Sequence, residues 1–117
     1  MTDNVLLDIK RQLEVEDDDP NFDEQIIDSI NDAFAELWQI SHIGPLGGFQ
    51  VVTGDETWTE FSTSATSRSL ARKFVYLTVK LDFDPPSTSF VLTALQERLK
   101  EVTWRLNAQK DWGNNFE

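Results

Sequence analysis

LDFDPPSTSF, residues 81–90, sets two consecutive prolines between two stretches of helical periodicity. Pro85 disfavours the α region at Asp84, and neither proline has an N–H to donate, so a helix running into this segment ends there. The same residues suit the start of a new helix, whose first turn has no use for those donors and which Asp84 or Ser87 can cap. The segment reads as a sharp corner between two packed helices, with Phe83 and Phe90 expected to pack together across Pro85 and Pro86.

Both flanks of the corner are helical in pattern. Upstream, Leu70, Phe74, Leu77 and Leu81 recur at i, i+4, i+7 and i+11, which predicts a helix over about 67–82, although FVYLTV alone also has strand composition. Downstream, Leu92, Leu95, Leu99, Val102 and Leu106 form a heptad seam, read as an intramolecular core and not as a dimer face. Nearer the N-terminus, Leu6, Ile9 and Leu13 mark a short helix over about 4–13, with Asp3 placed to cap it. Ile26, Ile30, Ala33, Leu37 and Ile40, widened by Ile27, Phe34 and Trp38, mark an amphipathic helix over 23–40.

Between these helices lie an acidic loop, EVEDDDPNFDE, and a connection of roughly 25 residues punctuated by Gly44, Gly47, Gly48 and Gly54, with FQVV as its one strand-like piece. A loop of that length is expected to gain its structure from neighbouring subunits. The expected fold is all-α: a small bundle of about four helices with a long glycine-containing loop. One domain spans 1–108, and residues 109–117 form an extended tail bearing Trp112 and Phe116.

Charge is divided along the chain. Of the net −11, residues 1–60 hold 15 acids against 2 bases, or −13, and residues 61–117 hold 6 acids against 8 bases, or +2. The acidic half would repel phosphates, and the other half is too weakly basic for general nucleic-acid binding. There is no cysteine for disulfides or thiolate metal sites, no apolar run of bilayer length, and an acidic start, so a soluble protein made in the cytoplasm, with no membrane partner, is expected.

No catalytic, cofactor or metal constellation emerges, and the chain is not expected to be an enzyme. Asp17, Asp19 and Asn21 match positions 1, 3 and 5 of a calcium loop, but Phe22 stands where glycine is required and Asp28 replaces the bidentate glutamate. GPLGG lacks the lysine and hydroxyl of a phosphate loop and follows a helix. His42, the single histidine, reads as a helix-end residue. Asp55 and Glu56 beside Trp58 read as a turn and not as a site with a raised pKa.

KFVYLTVKLDFDPPSTSFVLTALQERLKEVTWRLN, preceded by GDETWTEF, resembles the head–tail connector (adaptor, or head-completion) proteins of long-tailed, siphovirus-type bacteriophages of Gram-positive hosts. The resemblance extends over nearly the whole chain. It implies a helical subunit that assembles as a ring, usually a dodecamer, beneath the portal after DNA packaging, extending the DNA channel and giving a stopper or tail protein its docking surface. It also implies a place at the head–tail interface of the virion after assembly in the host cytoplasm, with DNA passing through without sequence-specific binding. On that pattern the tail, with Trp112 and Phe116, docks on the portal.

The charges fit such a ring in two ways. Asp28, Asp32 and Glu36 on one helix ridge, or Asp17, Asp18 and Asp19 in the loop, are candidates to line the channel, where acids let the duplex slide. Arg68, Arg72 and Lys73 are candidates to meet the acidic half of a neighbouring subunit. The alternative reading is an acidic helical binding module, a DNA mimic or regulatory protein acting on a basic partner.

Overall fold

A computed structural model describes the backbone of residues 2–116 and the side chains of residues 2–108. Five helices follow one another: α1 (Val5–Gln12), α2 (Asp23–Ser41), α3 (Trp58–Phe61), α4 (Ala65–Phe83) and α5 (Ser89–Phe116). No strand occurs among the described residues, so the all-α expectation and the four long-pattern helices hold. The addition is α3, a single turn.

Helix α1 is capped by Asn4 and not by Asp3: the Asn4 carboxamide oxygen accepts from the Leu7 N–H at 2.9 Å. Its Nδ2 donates to the Gly54 carbonyl, also at 2.9 Å, so one side chain closes the helix and fastens the long connection. The Asp3 backbone is engaged elsewhere, its carbonyl accepting from Trp58 N–H. In α2 the apolar stripe turns inward as its spacing predicts, with Ile26, Ile30, Ala33, Phe34 and Leu37 fully buried. The helix stops where His42 adopts a left-handed conformation (φ 55°), its N–H still bonded to the Trp38 carbonyl.

The glycine-bearing connection packs against its own subunit, which corrects the expectation that it waits for a neighbour. Phe49 and Val51 turn into the core while Gln50 and Val52 point outward, the alternation of a strand without a strand partner. The partner is a side chain. Asn31 of α2 accepts from Val51 N–H at 2.7 Å and donates to Val51 C=O at 2.9 Å, satisfying both backbone groups as a neighbouring strand would. Phe34 then sits among Phe49, Trp58 and Phe61, with ring centroids 5.1, 5.8 and 5.2 Å away. Each buried ring contributes about 2 kcal/mol by transfer.

Helix α3 arises from Thr57-Trp58-Thr59-Glu60, which has the sequence of a capping box: Thr57 Oγ1 accepts from Glu60 N–H as the N-cap, and its hydroxyl donates to the Glu60 carboxylate at 3.2 Å. Ser64 caps α4, which therefore begins two residues earlier than its apolar period implies. FVYLTV is helical, its Phe74, Val75, Leu77 and Val79 buried. On α5 the heptad seam packs within the chain against α2 and α4, but unevenly. Val102 and Leu106 are buried, whereas Leu92, Leu95 and Leu99 are half-covered, so the N-terminal half of α5 stands at the rim of the bundle.

Candidate assembly surfaces

At the corner, Asp84 ends α4, its N–H on the Lys80 carbonyl and its carboxylate 2.8 Å from Lys80 Nζ. The first helical hydrogen bond of α5 runs from Leu92 N–H to Thr88 C=O, one residue beyond the expected cap Ser87. Pro85 and Pro86 lie in the turn as predicted, but the expected contact between Phe83 and Phe90 is absent. Phe83 instead meets Phe22 edge-on at 5.6 Å, and Phe90 is 84% exposed. The corner is thus fixed from the α2 side, where the Ser29 hydroxyl also donates to Asp82 at 2.9 Å. That leaves Phe90 and Val91 facing solvent at the start of α5, with Trp104 exposed further along the same helix.

The cations expected at a subunit boundary divide. Arg72 forks onto Asp8 of its own chain (2.6 and 2.9 Å), and the indole N–H of Trp58 donates to the same buried carboxylate at 2.9 Å. Arg72 is held above its ordinary pKa by these hydrogen bonds and charges, against the opposing pull of desolvation. Arg68 donates to the Ser62 carbonyl and steadies the turn between α3 and α4. Of the three, Lys73 is exposed and has no partner among the described residues.

The acidic loop closes around a lysine. Lys10 is 1% exposed, and its ammonium reaches the carbonyls of Asp17 (3.1 Å) and Asp19 (2.8 Å) and the Asp23 carboxylate (2.7 Å). The residues that mimic a calcium loop therefore wrap the chain's own cation. Asp17 turns its carboxylate to Arg11, whose hydrogen bond lowers the Asp17 pKa. The Asp19 side chain accepts from Asn21 N–H. Asp18, Asp28, Asp32 and Glu36 remain exposed without a cationic partner among the described residues. No group of three metal-ligating side chains is found among those residues.

Glu56 shows the reverse of a raised-pKa site. Desolvation pushes its pKa up, but the N–H groups of Val52, Thr53, Gly54 and Glu56 itself outweigh that and bring it down to about 2. Its carboxylate sits 2.8–3.1 Å from the Val52, Thr53 and Gly54 nitrogens, an anion held in a nest of amides. The carboxylate organises the turn. Two features were absent from the sequence reading: the Asp8–Arg72–Trp58 node, and the Lys10 centre. The first links residues too distant for periodicity to pair, and the second buries a lysine against the carbonyls of a loop that has no apolar periodicity.

The span of α5 takes in residues 109–116, set apart above as an extended tail; the side chains of Trp112 and Phe116 lie outside the described residues. The family model described as "Phage connector protein" matches residues 5–113, from the start of α1 into that last stretch. The chain belongs to the phage connector protein family. It is accordingly a structural component of a bacteriophage particle with a head–tail connector role, interacting with other phage head and tail proteins. No curated protein and no solved structure matches the chain. The helices of this connector build one core that incorporates its long loop, and none of the described helices is long and apolar enough to cross a membrane.

Proposed function

We propose that this connector assembles as a closed ring, a dodecamer in the commonest arrangement, beneath the portal of a long-tailed phage of a Gram-positive host. The match across residues 5–113 carries this reading. It is supported by the surface: a folded subunit with Phe90, Val91 and Trp104 exposed along α5 has apolar area left for neighbours. In the ring the DNA channel is extended after packaging, with Asp28, Asp32 and Glu36 or the Asp17–Asp19 loop toward the duplex. The C-terminal stretch with Trp112 and Phe116 docks on the portal, and the opposite face receives stopper or tail.

The test is negative-stain electron microscopy and light scattering of the protein, alone and mixed with portal rings from the same genome. Rings with a central hole, or annular density added beneath the portal, are expected. A small species that ignores the portal and binds a basic host protein would replace this reading with the acidic binding module.

A further inference from the structure

Among the described cations, Lys10, Arg11, Arg68, Arg72, Lys80, Lys100 and Arg105 each reach a carboxylate or carbonyl of their own chain. Lys73 and Arg98 do not. Both line one groove of about 390 Å³ between α4 and α5, together with Gln12, Tyr76, Glu101 and Arg105. Three cations against one acid make this a positive furrow on a chain of net charge −11. The Gln12 Nε2 at its wall is buried without an acceptor among the described residues. Cations and an amide donor without partners on a strongly acidic protein call for an anionic occupant.

The complementary surface is on α2. Asp28, Asp32 and Glu36 are spaced i, i+4, i+8 and so rise in steps of about 6 Å to a row about 12 Å long. Arg98 and Arg105, seven residues apart on α5, span about 10.5 Å. A helix ridge of carboxylates thus has the length of the basic furrow, and a furrow between two helices is the shape that receives a third. One copy cannot satisfy both. Glu36 opens onto a separate cleft with Phe74, Leu81 and Asp82, and α2 is held there by its opposite, apolar face.

We infer that the α4/α5 groove of one connector, through Lys73, Arg98 and Arg105, seats the Asp28–Asp32–Glu36 ridge of a second copy. The inference builds on the ring assembly proposed above and names its subunit contact. Two different surfaces meet, so the contact is head-to-tail and closes into a ring when the rotation between copies permits. The carboxylates of the ridge would then face a neighbouring subunit and not the channel.

The experiment uses two full-length variants, a groove variant (K73E/R98E) and a ridge variant (D28K/D32K/E36K). All five positions are exposed, so both are expected to keep the parent's helical circular dichroism. In either variant alone the two surfaces carry like charge; in an equal mixture each groove meets an opposite ridge. Sedimentation velocity at low salt is expected to show each variant associating about tenfold or more weakly than the mixture. A mixture that sediments as the sum of its parts overturns the inference, as does a groove variant that self-associates as well as the mixture. Retention of the parent on duplex DNA, lost in the groove variant while the mixture stays dissociated, would assign the furrow to phosphates and also overturn it. Portal binding by the parent is scored separately: its loss counts against the connector assembly reading, whatever the mixture does.

Discussion

Asp8 and Arg72, 64 residues apart in the chain, form a two-pronged ion pair whose carboxylate also receives the indole N–H of Trp58. Three elements, α1, α3 and α4, meet at this one buried group. Removing the carboxylate strands a guanidinium and an indole N–H together. Asp8→Ala should lower unfolding free energy by about 3 kcal/mol and Tm by roughly 10 °C, measured by urea and thermal denaturation. Parent-like stability would mean that the node contributes no more than a surface pair.

Lys10 ties the acidic loop to α1 through two carbonyls and the Asp23 carboxylate. Lys10→Met keeps the buried stem and loses the donors. A drop of about 2 kcal/mol is expected, with faster proteolysis within residues 14–22. Since the ammonium occupies the centre of the loop, millimolar calcium should leave the parent's Tm unchanged; a clear rise would show that the loop takes a divalent ion after all.

Glu56 links stability to acidity. Its folded pKa of about 2 lies below its ordinary 4.5, so its stabilising contribution is complete above the unfolded value and is lost as pH falls from about 4.5 toward 2. In Glu56→Gln the fall of Tm across that window should be shallower than in the parent, and stability at neutral pH should be about 1–2 kcal/mol lower. Parallel profiles for the two proteins would rule out the amide nest as the cause.

Gly44 adopts φ +99°, and a Cβ there would lie 2.6 Å from the Phe61 ring. Gly44→Ala combines backbone strain with overlap on an aromatic in the core. A loss of about 2–3 kcal/mol is expected in equilibrium unfolding, against about nothing for Gly47→Ala beyond its own strain, since Gly47 has open space around it. Equal losses at the two sites would show that strain alone matters.

The long helices were legible because their apolar residues repeat at helical spacing over several turns, as in Ile26 to Leu37, and because Pro85 and Pro86 leave no alternative to a corner. Helix α3 was written as Thr57–Glu60, a capping-box sequence short enough to pass for part of a loop. What stayed hidden depends on distant partners. Arg72 sits beside buried Ala71 at the edge of an apolar stripe and looks solvated until Asp8 is brought to it. Phe83 turns to Phe22, about sixty residues earlier, and not to Phe90, because the end of α4 and the start of α2 are brought together by the bundle. Val51 lacks a strand partner in the sequence because its partner is the side chain of Asn31.

Ring assembly on the portal is the central claim, and mass measurement of single particles tests it most directly. Portal rings of the same phage, titrated with this connector, should shift in one step to a species heavier by a fixed whole number of connector chains, with no further gain at excess protein. Portal particles that keep their original mass at saturating connector, or that gain chains without limit, would contradict a closed ring seated on the portal.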